Sequence, residues 1–536
     1  MSELILSDEP EFFAPCSSDL VSVLIGGYNT TKNRILTLSS FISDDYKGVL
    51  NHFVEGNMDR SRGYVDVNTL FNPERAIKSL DSEYWSKALN LTDVYNHMPQ
   101  SRRTQWSTQL KAWKEPSYKA GKNPEEDLPA FEEEIVRSTL QSLLAMRSQF
   151  LGEKIDGIFK GLSGEHVTNR PEGFSKRMIL AGVINDWHTS TLKVGMINDL
   201  RTLIAKFMGR DEPSYNATDR LINGLKWGYG EWFDVDGGAL RMRLYKKGTA
   251  HIEVHEDMAW RLNAILAYLY PKAIPPSFRT KPHKTSKKIT LIQKPLPFAV
   301  VEVLLSAKGA TEVINKGYRD VHHSAIKNSI CIDGYQLSRE VLKQIQDVLE
   351  SIGGVKVGTH YEFDYDPAPI VRQIGITGCV PDQKSHQFYP TPTELAQIAV
   401  NFSEIKESDD CLEPSAGIGN IVDLMPKSTM CVEVSELRCN VLKQKGYTVF
   451  NDDFIKFDGY QFDKIVMNPP FNEGQWHDHV KKSASLMRSS GRLVAILPPS
   501  AVNKLELKEF NLKWYGPYKN MFADTSISVV ILVADK

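Results

Sequence analysis

From residue 385 onward the sequence alternates short apolar runs with helical patterns, and this constrains the fold more than any other feature of the chain. The runs lie within 409–420, 427–434, 446–454, 462–470, 491–499 and 526–536, and most end in a glycine, proline or acidic turn. Strand, turn and helix repeated in that order predict a doubly wound, mostly parallel α/β sheet. Upstream, residues 1–275 read as mainly helical. Apolar residues recur three and four apart over 128–159, and a similar helical pattern covers 178–208. A strand pair is expected within 232–254, where Gly237 and Gly238 offer a turn, and then a helix ended by Pro271. Residues 276–297 read as a basic linker rich in proline and lysine, and residues 298–384 as a small α/β element. The expected architecture is an α/β Rossmann-like domain over 385–536 behind a mainly helical α+β domain.

Composition narrows the chemistry. At ~150 residues per domain, a chain of 536 residues holds three to four domains. With 41% hydrophobic and 24% charged residues, wholesale disorder is excluded. The formal charge of -2 does not by itself favour nucleic-acid binding, so any such surface has to be local. The six cysteines form no CxxC pair, which argues against a structural zinc site or a disulfide framework and fits a reducing cytoplasm. Acids precede any apolar run at the N-terminus, and no stretch approaches 18 apolar residues. Neither a signal peptide nor a membrane span is expected.

Five local patterns carry chemistry. Glu413-Pro414-Ser415-Ala416-Gly417-Ile418-Gly419 takes a strand into a glycine turn, where the backbone can approach a ligand at the edge of a parallel sheet. It is neither a GxGxxG element nor a phosphate loop, which disfavours nicotinamide dinucleotides and ATP. Glu433, at the end of the next strand, is placed to accept hydrogen bonds from ribose hydroxyls. Asp453-Phe454 follows a third strand; the carboxylate can take an exocyclic amine and the ring can stack on a purine, although a plain turn with a buried phenylalanine reads the same way. Asn468-Pro469-Pro470-Phe471 follows the fourth strand. Its prolines stop the strand and stiffen the loop. The Asn468 side-chain oxygen and the Pro469 carbonyl can both accept from one NH2 group, with Phe471 as a stacking face. Tyr389, Thr391 and Pro392 precede the sheet, next to a helix that Thr393 is expected to cap.

Taken together, in this order and spacing, residues 385–536 resemble the class I S-adenosylmethionine-dependent methyltransferases, and most of all the DNA adenine-N6 enzymes of the NPPF type. The resemblance implies a methyl donor held by Gly417 and Gly419 (methionine half), Glu433 (ribose), and Asp453 with Phe454 (adenine). Thr391 and Pro392 would touch the methionine end, with Tyr389 beside them. Glu413-Pro414 stands where family members often carry Asp-Pro. The implied reaction is in-line methyl transfer to the N6 amino group of a flipped-out adenine in DNA, with Asn468, Pro469, Pro470 and Phe471 at the reacting amine and no metal. The N-terminal half is similar to a domain-of-unknown-function family fused ahead of methyltransferases in bacterial, phage and plasmid proteins. Two other readings stay open: a methyltransferase acting on RNA (guanine-N2 or adenine) or on protein glutamine, and a non-catalytic protein that binds DNA or a partner on a cofactor-binding scaffold. A homodimer or a partner subunit is compatible with either.

Because the sequence stops right after the last apolar strand, any target recognition is expected from residues 1–380 or from another subunit. Arg102, Arg103 and Lys111 with Trp106 and Trp113 are the aromatic and basic residues best suited to phosphates and bases, although two core tryptophans on an amphipathic helix explain them as well. His251, His255 and Glu256, the cluster His477-Asp478-His479, and His322-His323 are weak metal candidates, and no metal is expected there.

Overall fold

The computed structural model describes residues 18–42, 44–57, 70–92, 94–98, 100–111, 128–185, 188–282, 291–292, 295–315, 321–333, 337–380, 390–522 and 527–536. Much of the stretch read as a basic linker, as well as Trp113 and Tyr389, lies outside the described residues. The chain divides into two compact units: residues 1–180 with 256–286, and residues 181–255 with 287–536.

The second unit contains the expected sheet, in seven strands. They are β1 (Cys411–Pro414), β2 (Met430–Glu433), β3 (Thr448–Asn451), β4 (Phe462–Met467), β5 (Met487–Leu497), β6 (Asn511–Tyr518) and β7 (Val529–Asp535). Their order is β3-β2-β1-β4-β5-β7-β6. The first five run parallel, and β7 is antiparallel to both β5 and β6. The direction of winding reverses between β1 and β4, and in an open parallel sheet that switch opens a crevice at the carboxyl ends of the strands.

The strands read as unbroken apolar runs because both faces of the sheet are buried. Successive residues go to opposite sides. Leu412, Val432, Ile465, Leu493 and Leu532 pack on one face under α3 (Gln475–Ser485), through Trp476 and Val480. Cys411, Cys431, Val466, Val494 and Ile531 pack on the other under α1 (Thr393–Ser403), through Leu395, Ala396 and Ala399. Strand β6 escaped the sequence reading. It is an edge strand, mostly exposed, and it pairs only with β7. An edge needs no continuous apolar run, so no such pattern marked it.

The same unit holds further helices and strands upstream of the seven-stranded sheet. Helices Phe298–Ser306, Arg339–Ser351 and Ala368–Thr377 pack around an antiparallel sheet of Ser329–Cys331, Val355–Val357 and His360–Glu362. Its core joins the seven-stranded sheet through α2 (Glu436–Gln444): Ile345, Val348, Tyr361 and Ile374 cluster with Leu437, Val441 and Ile418. Asn440 Nδ2 donates to Gln373 Oε1 at 2.9 Å across the same seam. Where a strand pair was expected within 232–254, three antiparallel strands are observed: Phe233–Val235, Leu240–Leu244 and Ala250–Val254. The helix expected over 178–208 is confined to Thr191–Phe207. Short strands precede it, and Gly182 at φ +68° turns the chain out of any helix.

The first unit is mainly helical. Tyr28 donates to Asp81 at 2.6 Å inside a cluster of Trp85, Phe131, Val136 and Leu140. Burial raises the Asp81 carboxyl above its ordinary range. The helix expected over 128–159 starts at Glu133 and is broken at Met146 (φ −88°, ψ 0°), so its halves, Glu133–Ala145 and Arg147–Ser163, bury different faces. Trp106 tilts on Trp85 at 5.5 Å and belongs to the core, leaving Arg102 and Lys111 exposed beside it. Among the described residues no helix is long and apolar enough to cross a membrane.

Candidate active site

The carboxyl ends of β1, β2 and β4, with the turn after β3, enclose a cleft of about 630 Å³. Each wall has a local cause. After Pro414 the chain leaves the sheet in a tight coil, with Ser415 at φ +68°, Gly417 at φ +59° and Gly419 at φ +101°. The N–H groups of Ser415 and Ala416 both donate to the Val432 carbonyl, which turns the next N–H toward the end of β2. There the Glu433 carboxylate accepts from Gly417 N at 2.8 Å and from Ser435 N at 2.9 Å, and Arg438 stands 3.7 Å away. Glu433 is therefore a brace for the glycine turn, 4% exposed. A carboxylate has about four lone-pair sites, so these two bonds leave acceptor capacity facing the cleft.

Glu413 is more unusual. It is 2% exposed, it lines the cleft, and its Oε2 has no hydrogen-bond partner among the described residues. Burial, with Asp423 and Glu433 nearby, raises its carboxyl well above the ordinary range. An orphaned buried carboxyl oxygen calls for a cationic or N–H donor from a ligand.

At the end of β3 the Asp453 carboxylate accepts from Ile455 N at 3.1 Å and starts the short helical turn Phe454–Lys456. Phe454 is buried against Phe457 and lines the cleft. At the end of β4, Asn468 Nδ2 donates to Thr391 Oγ1 at 3.0 Å, and Asn420 Nδ2 donates to the Thr391 carbonyl at 2.8 Å. Thr391 thus locks the amide of Asn468 with its nitrogen engaged. The free oxygen of that amide is an acceptor, on a loop whose Pro469 carbonyl is another. Phe471 is wedged between the two sheet-face cores.

Ten of the fourteen expected residues line this one cleft: Thr391, Glu413, Gly417, Glu433, Asp453, Phe454, Asn468, Pro469, Pro470 and Phe471. Three lie behind it. Pro414 ends β1, Pro392 is the N-cap of α1 in place of the expected Thr393, and a Cβ on Gly419 would sit 3.0 Å from Leu442 Cδ2 of α2. Tyr389 lies outside the described residues.

Three cleft residues make contacts that the sequence did not point to. Ser415 sat inside the glycine motif without a role. Arg438 looked like an ordinary helix-surface charge. His479 is 9% exposed, its Nδ1 3.2 Å from Ser415 Oγ and its ring 5.4 Å from Phe454. Its helical spacing from Trp476, Val480 and Ser483 was the available signal, since those residues mark the buried face of α3. Burial lowers the His479 pKa. Among the described residues no group of three or more His, Cys, Asp or Glu could hold a metal ion. His251 lies edge-on to Tyr245 at 4.8 Å and His255 is buried, while the His322 side chain is not described.

A family model, a domain of unknown function (DUF4942), matches residues 77–272. No curated protein matches the chain. Similar solved structures include TrmN from Thermus thermophilus, 16% identical, with a TM-score of 0.24 over 27% of this chain and 48% of that one, so the chain spans about half the length of TrmN. An rRNA methylase from Streptococcus thermophilus is 12% identical, with a TM-score of 0.22 over 26% of this chain and 94% of that one. The plantazolicin methyltransferase BpumL, solved with SAH, is 10% identical, with a TM-score of 0.20 over 27% and 82%.

Proposed function

We propose that the chain is an S-adenosylmethionine-dependent methyltransferase acting on the N6 amino group of adenine in DNA. The observation that carries this reading is the pinning of Asn468 by Thr391 on the rim of the cleft. With one N–H of the amide engaged by Thr391, the Asn468 oxygen and the Pro469 carbonyl are the acceptors that the loop offers. Two converging acceptors fit a group with two N–H donors, which an exocyclic amine has and a hydroxyl or a carbonyl lacks.

The donor set fits the cofactor. Glu413 offers an unpaired buried oxygen to its ammonium group, Gly417 leaves room for close backbone approach, Glu433 and Asp453 retain acceptor sites, and Phe454 offers a ring. When bound, S-adenosylmethionine supplies a methyl group on a positively charged sulfonium. The work of the protein is positioning and electrostatics. The Asn468 oxygen and the Pro469 carbonyl orient the amine and favour the positive charge that grows on its nitrogen. The two prolines hold those acceptors still, so little reorganisation is needed at the moment of reaction. Phe471 gives an extruded base a face to rest against, and choosing adenine in DNA follows the NPPF resemblance.

The test is incubation of the full chain with methyl-labelled cofactor and, separately, duplex DNA, RNA and protein. Label in DNA recovered as N6-methyladenine supports the proposal; label confined to RNA or protein overturns it.

A further inference from the structure

The second unit has another recess, remote in sequence from the motifs above. It encloses about 220 Å³ and is bounded by helix Tyr215–Leu225, the turn at Trp227, helix Phe298–Ser306 and helix Ala368–Thr377. Its floor is apolar, formed by Leu304, Leu305, Ile330 and Val371, while Arg220, Asn223 and Arg372 stand around it. Trp227 is the feature to explain. Its indole is 76% exposed at the mouth of the recess, which leaves aromatic surface open to stacking. Arg372 lies over its ring at 4.1 Å; Asp366 is near enough to act on the charge of that guanidinium without a close ion pair. Arg220, by contrast, is tied to Glu302 through the carbonyl at 3.0 Å and the carboxylate at 3.7 Å. Asn223 Nδ2 is held by Asp219.

An exposed aromatic face next to a guanidinium without a close ion pair, over a small apolar recess, matches the two halves of a nucleotide: a base to stack and a phosphate to neutralise. Helix Ala368–Thr377, which carries Arg372, is fixed to α2 of the methyltransferase-like sheet, so the recess and the main cleft belong to one unit. We infer that this recess grips one nucleotide of the DNA strand away from the reacting base, with Trp227 stacking the base and Arg372 holding its phosphate. The inference rests on the reading of DNA as the substrate.

The experiment uses the full-length chain, fluorescein-labelled single-stranded and duplex DNA, an RNA of the same sequence, and free dAMP. Trp227→Ala and Arg372→Gln are each expected to weaken DNA binding about tenfold. Arg372→Gln should also lower the slope of log affinity against log salt by ~0.7–0.9, the share of one phosphate, which a merely structural role would not do. Trp227→Phe keeps a stacking face and should bind close to wild type. S-adenosylmethionine affinity should be unchanged in all three variants, which shows that they are folded. Wild-type DNA affinity and salt slope in both loss variants would overturn the inference, as would dAMP or RNA binding that depends on Trp227 while DNA binding does not. The two readings fail separately. DNA methylation with an unaltered KM in the loss variants sinks only this inference, and recess-dependent DNA binding without methylation sinks only the catalytic one.

Discussion

Replacing Glu433 by glutamine tests the brace under the glycine turn. The carboxylate accepts from Gly417 N at 2.8 Å and from Ser435 N at 2.9 Å. Glutamine keeps one acceptor oxygen and puts an NH2 group where the other stood, facing an N–H. One charge-assisted bond is lost, about 1.5–3 kcal/mol, and a backbone donor is stranded. The contact with Arg438 at 3.7 Å also loses its charge, with side chains only 6% and 5% exposed. We expect a total loss of about 3 kcal/mol, within the 5–15 kcal/mol of an ordinary domain, so the variant still folds. Urea denaturation should show a lower midpoint, and hydrogen exchange should speed up in the peptide spanning residues 415–435. Titration with S-adenosylmethionine should show at least tenfold weaker binding, because the N–H that Glu433 aims belongs to the cleft wall. An unfolding free energy within about 0.5 kcal/mol of wild type, with unchanged exchange at Gly417 and Ser435, would refute the argument.

Asn468→Ala should abolish methyl transfer while leaving cofactor affinity within about threefold, measured by single-turnover transfer and calorimetry; transfer at the wild-type rate would remove that loop from the mechanism. Gly419→Ala puts a methyl group 3.0 Å from Leu442 and strains a backbone at φ +101°, so a loss of about 1–3 kcal/mol in denaturant is expected, with no change in how the amine is chosen. Glu413→Gln should change the pH profile. Its carboxyl is raised in the folded state, so the folded chain holds that proton more tightly than the unfolded one. Stability from this group is full below the unfolded value of about 4.5 and is lost as pH rises. The variant should therefore be more stable than wild type toward alkaline pH and yet bind the cationic cofactor more weakly. His479→Gln should act at the other end. Burial lowers the imidazole pKa below 6.5, so the wild type loses stability as pH falls through that value, and the variant should lose less.

What the sequence revealed follows from what each residue does. The sheet was legible because strands buried on both faces need unbroken apolar runs, and most cleft residues were legible because they sit where those runs stop. Edge strand β6 was not, since one exposed side and a single neighbour demand no such run. The helix expected over 128–159 hid its break at Met146, because two helices in series with apolar faces keep the same spacing as one. Within the cleft, Glu433 was legible as an acid at a strand end, but its bonds to Gly417 and Ser435 exist only once β1 and β2 lie side by side. The place of His479 in the cleft was hidden for the same reason: its partner Ser415 is 64 positions away in the chain.

Ile418 has one side in the cleft and the other in the core shared by Val348, Ile352 and Tyr361. A single side chain thus serves as wall to one compartment and as ballast to another. Stiffening the first will damp the second, so loading the cleft should slow amide exchange in helix Arg339–Ser351, which touches no ligand. That helix then serves as a built-in gauge of occupancy, readable without following any chemistry.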